Sequence, residues 1–382
     1  MTPFLPDSRA AHGGGSYLGA ICEALSRQAD LGLVSLQHPG EPTPASATWA
    51  WSGGAAYDGA PRGATHRLRM LWRWRRQPLL VAKHSSAAFA AAIAEARRTF
   101  RPDVALVEMA QMAQYLPCLR GLPTVLTDHE GGRPANSGTG LGAVADRRDD
   151  RLWQRYVRRY YPMADRLQAV TDEDASSLSR ALGAAVDVRP PAIAPLAAAC
   201  APEAAPPAAL FLGDYRHQPN REAAQRLAGE VWPLVRARHP DAELLLAGPN
   251  EGSIRPLDGR GGVRVVGFVA DLRDLMNSAR LVLAPLWSGG GFRVKNATAL
   301  LSGLPVVTNA LGARGCRAPE PGCTVRETAA DLAEATCKLL SSAEAASAAG
   351  AGARAWAQER FGPDAVAAQQ LARLEALLAA PR

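Results

Sequence analysis

Lysine is scarce in this 382-residue sequence: only Lys83, Lys295 and Lys338 occur among 43 lysines and arginines. The cations are therefore mostly arginine, and the formal net charge is +7. A charge of this size suits an anionic small substrate. It is not the clustered basic footprint of a nucleic-acid binder, so no nucleic-acid partner is predicted. Because the composition rarely supplies a lysine, Lys295 is informative where it accompanies a motif.

Long apolar runs, leader signals and cysteine patterns are also lacking. No uninterrupted apolar run reaches the length of about 18 residues that a transmembrane helix requires. The start lacks a basic segment followed by an apolar one, so no secretory signal is predicted. Six irregularly spaced cysteines fit neither a zinc site nor a disulfide framework. We expect reduced thiols in a cytoplasmic protein.

Short apolar segments alternate with helical ones along the whole chain, which predicts an α/β fold with parallel sheets. The length favours two domains. Residues 1–5 are a clipped first strand, followed by a turn at Gly13–Gly15 and a helix over 16–27. The other predicted strands are 31–36, 103–108, 123–127, 167–171, 210–213, 243–248, 263–267, 280–286 and 305–308.

Proline and alanine dominate residues 188–209, which indicates a linker between the two halves. Two doubly wound, Rossmann-like domains that face each other across a cleft are the simplest architecture. The predicted divisions are an acceptor domain at 1–189, a linker at 190–207, a donor domain at 208–362 and a C-terminal helix at 363–382 that packs back on the first domain.

A glycine-rich turn opens a helix in the second half, in the run 289–295 (GGGFRVK). Three glycines let the backbone approach a ligand closely, and the N–H groups at a helix start form an anion site. Arg293 and Lys295 add positive charge where the helix dipole disfavours it. A diphosphate site is the prediction, with a flexible turn bearing solvated cations as the alternative.

Two long segments, 211–250 and 263–316, together with this glycine run, resemble the family-4 retaining glycosyltransferases of the GT-B fold. The resemblance covers the whole second half. The first half is similar through shorter segments, namely HGGGSYL (12–18), 102–116, 123–130 and 168–175.

The resemblance implies transfer of a hexosyl or related sugar from a nucleotide-diphosphate sugar to an acceptor hydroxyl. Arg293 and Lys295 would contact the donor pyrophosphate as catalytic residues. His129 would line the sugar pocket, with an ordinary strand-end histidine as the alternative. The further donor contacts that it implies are Gly14, Gly15, Gly213, Gly267, Phe268, Val269, Gly289, Gly290 and Gly291.

The sequence departs from the family pattern in the helix that follows the glycines. Thr298 stands where members usually carry a glutamate for the ribose hydroxyls, and Gly290 stands where the second glutamate is common. A hydroxyl cannot grip a diol in the bidentate way of a carboxylate. Either the donor lacks one ribose hydroxyl, as a deoxythymidine nucleotide sugar does, or activity is weakened or lost. Asp214 replaces a common arginine, and Arg216 is near enough to substitute for it.

The run Asp172-Glu173-Asp174 fits a metal-binding DxD string. Its place at a helix start, after a plausible N-cap at Thr171, favours acidic capping instead. Neither a metal nor another cofactor is therefore expected. Leaving-group charge would be stabilised by Arg293, Lys295 and helix-end amides. The resemblance implies retention of anomeric configuration, with the departing phosphate taking the acceptor proton.

The acceptor is not readable from the sequence. Arginines alternate with Leu68, Leu71, Trp72 and Trp74 in the stretch 66–76. As a helix it would lie on an anionic membrane with its tryptophans inward, attract a phosphorylated acceptor, or be an ordinary surface helix. Peripheral membrane contact of a cytoplasmic enzyme is therefore an open alternative.

Two other function classes compete with a sugar transferase. Thr298 and Gly290 raise the alternative of a catalytically degenerate GT-B protein that acts as a binding or assembly partner. A nicotinamide oxidoreductase is disfavoured because no G-x-G-x-x-G motif follows a predicted strand.

Overall fold

The computed structural model describes residues 1–8, 13–39, 48–57, 63–134, 139–196 and 198–380. The chain forms two compact units of parallel strands and helices, which confirms the predicted fold class. Unit 1 comprises Met1–Ala192, Gly290–Phe292 and Pro363–Arg382, and unit 2 comprises Ile193–Gly289 and Arg293–Gly362.

Unit 1 contains a two-stranded parallel pair, β1-β2, and a four-stranded parallel sheet in the order β3-β4-β5-β6. The β4 segment is buried along its whole length, as expected of a strand covered on both faces. The bounds are Gly32–Gln37 for β1, Trp51–Ala56 for β2, Ala105–Glu108 for β3, Thr124–Asp128 for β4, Arg166–Ala169 for β5 and Asp187–Val188 for β6.

Met1 and Thr2 lie between β1 and β3 and bond to both. The Thr2 N–H donates to Val34 O at 3.0 Å, and the Met1 ammonium donates to Leu106 O at 2.7 Å. The predicted strand over residues 1–5 is reduced to one bridge, from Thr2 to Ser35. Pro3 has no N–H, so it cannot continue the ladder. A largely apolar groove of about 530 Å³ lies beside Met1 and is lined partly by residues of β1 and β3.

The helices of the first 192 residues are α1 Gly13–Leu25, α2 Gly63–Trp74, α3 Leu79–Lys83, α4 Ala87–Thr99, α5 Ala143–Tyr160 and α6 Asp172–Leu182, and 110–119 form a 3₁₀ helix. The predicted turn at Gly13–Gly15 is wrong, because these glycines form the first turn of α1. A Cβ on Gly14 would lie 3.1 Å from both Met109 Cε and Phe4 Cζ. Close packing explains a glycine there. Residue 12 lies outside the described residues.

The prediction for the acidic run at α6 is confirmed. Thr171 is the N-cap of the helix, and its hydroxyl accepts from the Asp174 N–H at 3.0 Å. Asp172, Glu173 and Asp174 occupy the first turn, where the helix dipole favours negative charge.

The two tryptophans of α2 have different environments. Leu68, Leu71 and Trp72 are exposed, but Trp74 is buried and its indole N–H donates to Asp149 Oδ1 at 2.8 Å. The expectation that both tryptophans face a membrane is therefore wrong for Trp74. Across the described residues, every helix is too short or too polar to cross a bilayer.

Unit 2 contains one parallel sheet in the order β12-β11-β10-β7-β8-β9. The apolar segments of β7 and β8 are almost entirely buried, which explains their continuous runs of alanine, leucine and phenylalanine. The bounds are Ala208–Leu212 for β7, Glu243–Ala247 for β8, Val263–Gly267 for β9, Leu281–Leu283 for β10, Val306–Thr308 for β11 and Cys323–Val325 for β12.

The helices of unit 2 are α7 Gln218–Arg226, α8 Trp232–Arg236, α9 Leu272–Asn277, α10 Val294–Leu301, α11 Ala329–Ser341 and α12 Ala343–Phe361. A π-helical turn, Leu227–Val231, separates α7 from α8. Pro233 in the first turn of α8 lacks the N–H that a regular α-helix would use there.

The final helix, α13 Pro363–Ala379, belongs to unit 1 and packs against α1. Val366 and Ala367 join the apolar cluster around Leu18 and Ile21. The proline-rich segment before β7 lacks regular structure but is bonded in place in unit 2, where the Cys200 N–H donates to Ser302 O at 2.7 Å.

Candidate active site

The strand order of the unit 2 sheet reverses between β7 and β10. From β7 the chain continues to β8 and β9 on one side, and β10 leads to β11 and β12 on the other. Ligands of open parallel sheets bind outside the carboxyl ends of the strands at such a reversal. Gly213 directly follows β7, and the glycine run follows β10. Two segments predicted from the sequence therefore lie at this point of the sheet.

Lys295 lies in the first turn of α10, close to the end of β7. Its Nζ donates to Asn220 Oδ1 at 3.1 Å and lies 4.1 Å from the ring centroid of Phe211, a cation–π contact. Burial, and secondarily the charge of Arg293, lower the pKa of Lys295 to about 7. Its two partners among the described residues, Asn220 and Phe211, are both neutral.

Arg293 is the N-cap of α10 rather than part of its first turn. The side chain is buried, and its Nη2 and Nε donate to the carbonyls of Gly289 (3.1 Å) and Leu311 (3.2 Å). Arg293 therefore fixes the start of the glycine run. Gly289 and Gly291 have φ values of +98° and +76°, which favour glycine.

Asn220 is a site residue that the sequence analysis missed. It lies in the first turn of α7, and its Nδ2 donates to Asp214 O at 2.9 Å. A Cβ on Gly213 would lie 2.9 Å from Asn220 Cγ, so the two residues share a tight space. In the sequence, Asn220 stands at the end of the segment 213–220, between a predicted strand and a helix start. That segment does not by itself reveal a contact with Lys295.

Arg216 was expected to substitute for the arginine that is missing at position 214, but it is bound by the Asp214 carboxylate. Its Nη2 and Nε donate to Asp214 Oδ2 at 2.7 and 3.1 Å. Hydrogen bonds from Arg216, reinforced by Asn250, lower the pKa of Asp214 to about 2. The pair is thus close to neutral, and the exposed Arg216 adds little net charge to the site.

Thr298 lies one turn beyond Lys295, and its hydroxyl donates to Val294 O at 2.9 Å. The hydroxyl is therefore bonded within its own helix. Gly267 ends the edge strand β9, two strands from β7, and Phe268 and Val269 follow it. Gly267 has a φ of +78°, and the Phe268 side chain is 71% exposed, which leaves the ring open for stacking.

His129 follows β4 in unit 1 and is buried in a polar network. Its Nε2 lies 2.8 Å from Glu108 Oε2, and its Nδ1 bonds to the Tyr17 hydroxyl. Arg189 also donates to Glu108 at 2.7 Å. Burial would raise the pKa of Glu108, but Arg189 and His129 outweigh it and hold the pKa at about 2. Both ring nitrogens of His129 are occupied in this arrangement.

Gly14 and Gly15 lie in the first turn of α1, where a helix has N–H groups outside its own ladder. Within the described ranges, no group of three or more histidine, cysteine, aspartate or glutamate side chains is arranged to hold a metal ion. All six cysteines are free thiols.

Two family models match the sequence. The model of glycosyltransferase family 4 matches residues 11–195, and that of glycosyl transferases group 1 matches residues 206–342. No curated protein matches the chain.

Several solved structures share the fold along the whole chain. Sucrose-phosphate synthase from Thermosynechococcus elongatus is 18% identical, with a TM-score of 0.71 over 100% of this chain and 99% of that one. Trehalose 6-phosphate synthase from Burkholderia multivorans is 13% identical, with a TM-score of 0.65 over 99% and 98%. HepE from Anabaena, in complex with UDP and glucose, is 14% identical, with a TM-score of 0.56 over 98% and 99%.

At these identities the solved structures establish the fold, whose two parallel α/β units are those of GT-B proteins. The two family models together span most of the chain. The chain therefore belongs to the family-4 glycosyltransferases with the GT-B fold.

Proposed function

We propose that this glycosyltransferase moves a hexosyl or related sugar from a nucleotide-diphosphate sugar to an acceptor hydroxyl. The observation that carries the proposal is the environment of Lys295. Its ammonium contacts an amide oxygen and an aromatic ring, and among the described residues no carboxylate bonds to it. A partly buried cation with neutral partners is stabilised by an anionic ligand. A diphosphate at the start of α10 supplies that anion.

The donor class draws support from the similar structures of HepE, which hold UDP, UDP with glucose, and UDP-glucose. Thr298 in place of a ribose-binding carboxylate favours a donor that lacks one ribose hydroxyl, such as a deoxythymidine nucleotide sugar. In this scheme Gly267, Phe268 and Val269 contact the base, and Gly213 and Gly289–Gly291 contact the phosphates or the sugar.

The proposed reaction retains the anomeric configuration and needs no metal. As the bond from the sugar to the diphosphate breaks, negative charge grows on the departing phosphate. Lys295, Arg293 and the first N–H groups of α10 stabilise this charge. The departing phosphate takes the proton of the acceptor hydroxyl. The family resemblance adds His129 for positioning the sugar, Gly14 and Gly15 for the phosphates, and Arg216 as a further donor contact.

The direct test is thermal unfolding with UDP, GDP, ADP and dTDP sugars, with and without a chelator. Stabilisation by a dTDP or UDP species that survives the chelator supports the donor class and the absence of a metal. A flat response to every nucleotide sugar contradicts the transferase proposal. Retention is then checked from the anomeric configuration of the product by NMR.

A catalytically degenerate GT-B protein is the second candidate. It is favoured by the Thr298 hydroxyl, which is already bonded to Val294 O rather than left for a ribose. Nucleotide-sugar binding without turnover or hydrolysis would favour this candidate, whereas release of nucleoside diphosphate in the presence of an acceptor would exclude it.

Helix α2 gives the acceptor side of the proposal a testable surface. The exposed Leu68, Leu71 and Trp72 lie among arginines at 67, 69, 75 and 76. An apolar face flanked by cations suits the surface of an anionic membrane. We therefore propose peripheral membrane contact of a cytoplasmic enzyme through this helix.

A further inference from the structure

The orientation of the Asn220 amide is fixed by two hydrogen bonds. Its Nδ2 donates to the Asp214 carbonyl at 2.9 Å, since a carbonyl can only accept. The amide oxygen therefore faces the other way, and it accepts from Lys295 Nζ at 3.1 Å. The loop after β7 thus orients the Asn220 amide, and the amide oxygen in turn binds the Lys295 ammonium.

Gly213 makes room for this arrangement. A Cβ at position 213 would lie 2.9 Å from Asn220 Cγ, a distance that real Cβ atoms essentially never show, and 3.0 Å from Asn220 Cβ, which is tighter than most real contacts. Its φ is not among the left-handed values found at other glycines of the chain. Space for Asn220, rather than backbone conformation, therefore explains the glycine at position 213.

The surroundings of Lys295 contain few charges that could neutralise it. Arg293 on the same helix is a like charge. The Glu222 carboxylate on α7 accepts from Ser288 Oγ at 2.7 Å, and the Asp214 carboxylate is bound by the neighbouring arginine. The strand β7 contributes the face of Phe211, which carries no formal charge. An aspartate at position 220 would change this balance, because it would pair with the ammonium in the absence of ligand.

We propose that Asn220 is a positioning residue for the donor diphosphate. It holds the Lys295 ammonium at the start of α10 and, because the amide is neutral, leaves the charge of the lysine for the ligand. This inference rests on the proposed function, because it assigns a partner within the same site. Asn220 itself need not contact the donor, and it acts through Lys295.

Proton uptake on binding follows from this arrangement. Because burial lowers the pKa of Lys295 to about 7, much of the free protein carries a neutral amine above neutral pH. A bound diphosphate favours the ammonium, so the affinity for a diphosphate falls as the pH rises from about 7 toward 9. A nucleoside, which lacks the phosphates, should bind with no such dependence on Lys295.

The test measures binding of inorganic pyrophosphate, UDP and uridine to the full chain by calorimetry between pH 6 and 9. Asn220→Asp should weaken pyrophosphate and UDP on the order of 10- to 100-fold, because a carboxylate then repels the ligand and competes for the lysine. Its pH midpoint should move upward, and uridine binding should be unchanged. Asn220→Ala should weaken the two phosphate ligands less and without the upward shift.

Chemical labelling measures how much of Lys295 is in the neutral, reactive form when no ligand is bound. Lys295 is one of three lysines, and Lys83 and Lys338 serve as internal controls. Acylation by an amine-reactive reagent at pH 8 should be slower at Lys295 in Asn220→Asp than in the wild type, with the two controls unchanged. Equal labelling at Lys295 in both proteins overturns the inference.

A double-mutant cycle tests the shared space. Gly213→Ala should lower the melting temperature when Asn220 is present, and less in the Asn220→Ala background, which removes the 2.9 Å approach to Cγ but keeps the Cβ. Additive effects overturn the role assigned to Gly213. A wild-type chain that binds neither pyrophosphate nor UDP sinks the proposed function, and labelling and the cycle then still decide whether Asn220 positions Lys295. Wild-type binding that Asn220→Asp leaves unaltered sinks the inference alone.

Discussion

Arg293 Nη2 donates to the carbonyl of Gly289 at 3.1 Å, across the glycine loop that the arginine follows. The same guanidinium reaches Leu311 O through Nε. A guanidinium presents its donors as a planar fork, whereas an ammonium is a single point of charge. Arg293 therefore links two backbone segments that a lysine could not bond simultaneously.

Arg293→Lys should lower the free energy of unfolding by about 1–3 kcal/mol, because an ammonium does not reproduce the two hydrogen bonds of the buried guanidinium. Chemical denaturation of both proteins measures the loss. Arg216→Lys is the matched control, since Arg216 is exposed and its substitution should cost much less stability. Equal losses in the two variants would contradict the bracing role of Arg293.

Lys295→Met should stabilise the ligand-free protein most at low pH. The folded pKa is lowered to about 7, whereas an unfolded lysine keeps its ordinary value of 10.5. Between these values the unfolded chain binds more protons, so wild-type stability rises with pH through this window. Below about pH 7 both states are protonated, and the cost of the buried ammonium is complete.

The advantage of Lys295→Met over the wild type should therefore shrink between pH 7 and 10. Denaturation midpoints at pH 6, 8 and 9.5 follow it, with Lys338→Met as a control at an exposed lysine. A difference that stays constant over this range would refute the buried ammonium as its cause.

The groove beside Met1 should accommodate additional residues before Met1 as an extended strand between β1 and β3. The carbonyls of Val34 and Leu106 bond to Thr2 and Met1, so the N–H groups of the same two residues point to the same side, into the groove. Four added residues of alternating valine and isoleucine before Met1 would meet both edges. They would also carry the terminal ammonium out of the site where burial lowers its pKa.

This extension should raise the free energy of unfolding by about 1–3 kcal/mol through new ladder bonds and covered apolar surface. Thermal unfolding followed by circular dichroism is the measurement. An extension of four prolines should give no gain, because it cannot donate to either neighbouring strand. A gain from both extensions would show that the effect does not come from strand pairing.

Helix α2 should control any membrane contact. Changing Leu68, Leu71 and Trp72 to serine should abolish co-sedimentation with vesicles that contain an anionic phospholipid. Leu234→Ser, at an exposed leucine of α8, is the matched control and should sediment like the wild type. Wild-type protein that stays in the supernatant at low salt would remove the membrane proposal.

The sequence predicted the elements whose signal is local. Consecutive apolar residues indicated strands such as β7 and β8, and Thr171 indicated the start of α6. Strand β2 was missed because Trp51–Ala56 contains two glycines and only Ala55 in it is buried, so it has neither the composition nor the burial pattern of a strand. The π-helical turn before α8 also has no local signature strong enough to interrupt a helical pattern.

The same limit applies to the site. The glycine run and Lys295 were identifiable because three consecutive glycines are followed by a lysine, and lysine is rare in this composition. Asn220 was not, since its role depends on Gly213, Asp214 O and Lys295, which the fold brings together from the loop after β7 and from α10. The assignment of individual donor contacts stays a prediction until a ligand is bound.

Because α13 returns to unit 1, unit 2 is an insertion within the chain of unit 1. A fragment that ends at residue 192 would lack the helix that covers Leu18 and Ile21, and Gln168 would lose its buried bond to Gln370. The first unit therefore cannot be completed until residues 363–379 have been synthesised. A stop codon anywhere between residues 192 and 363 would damage the fold around Leu18.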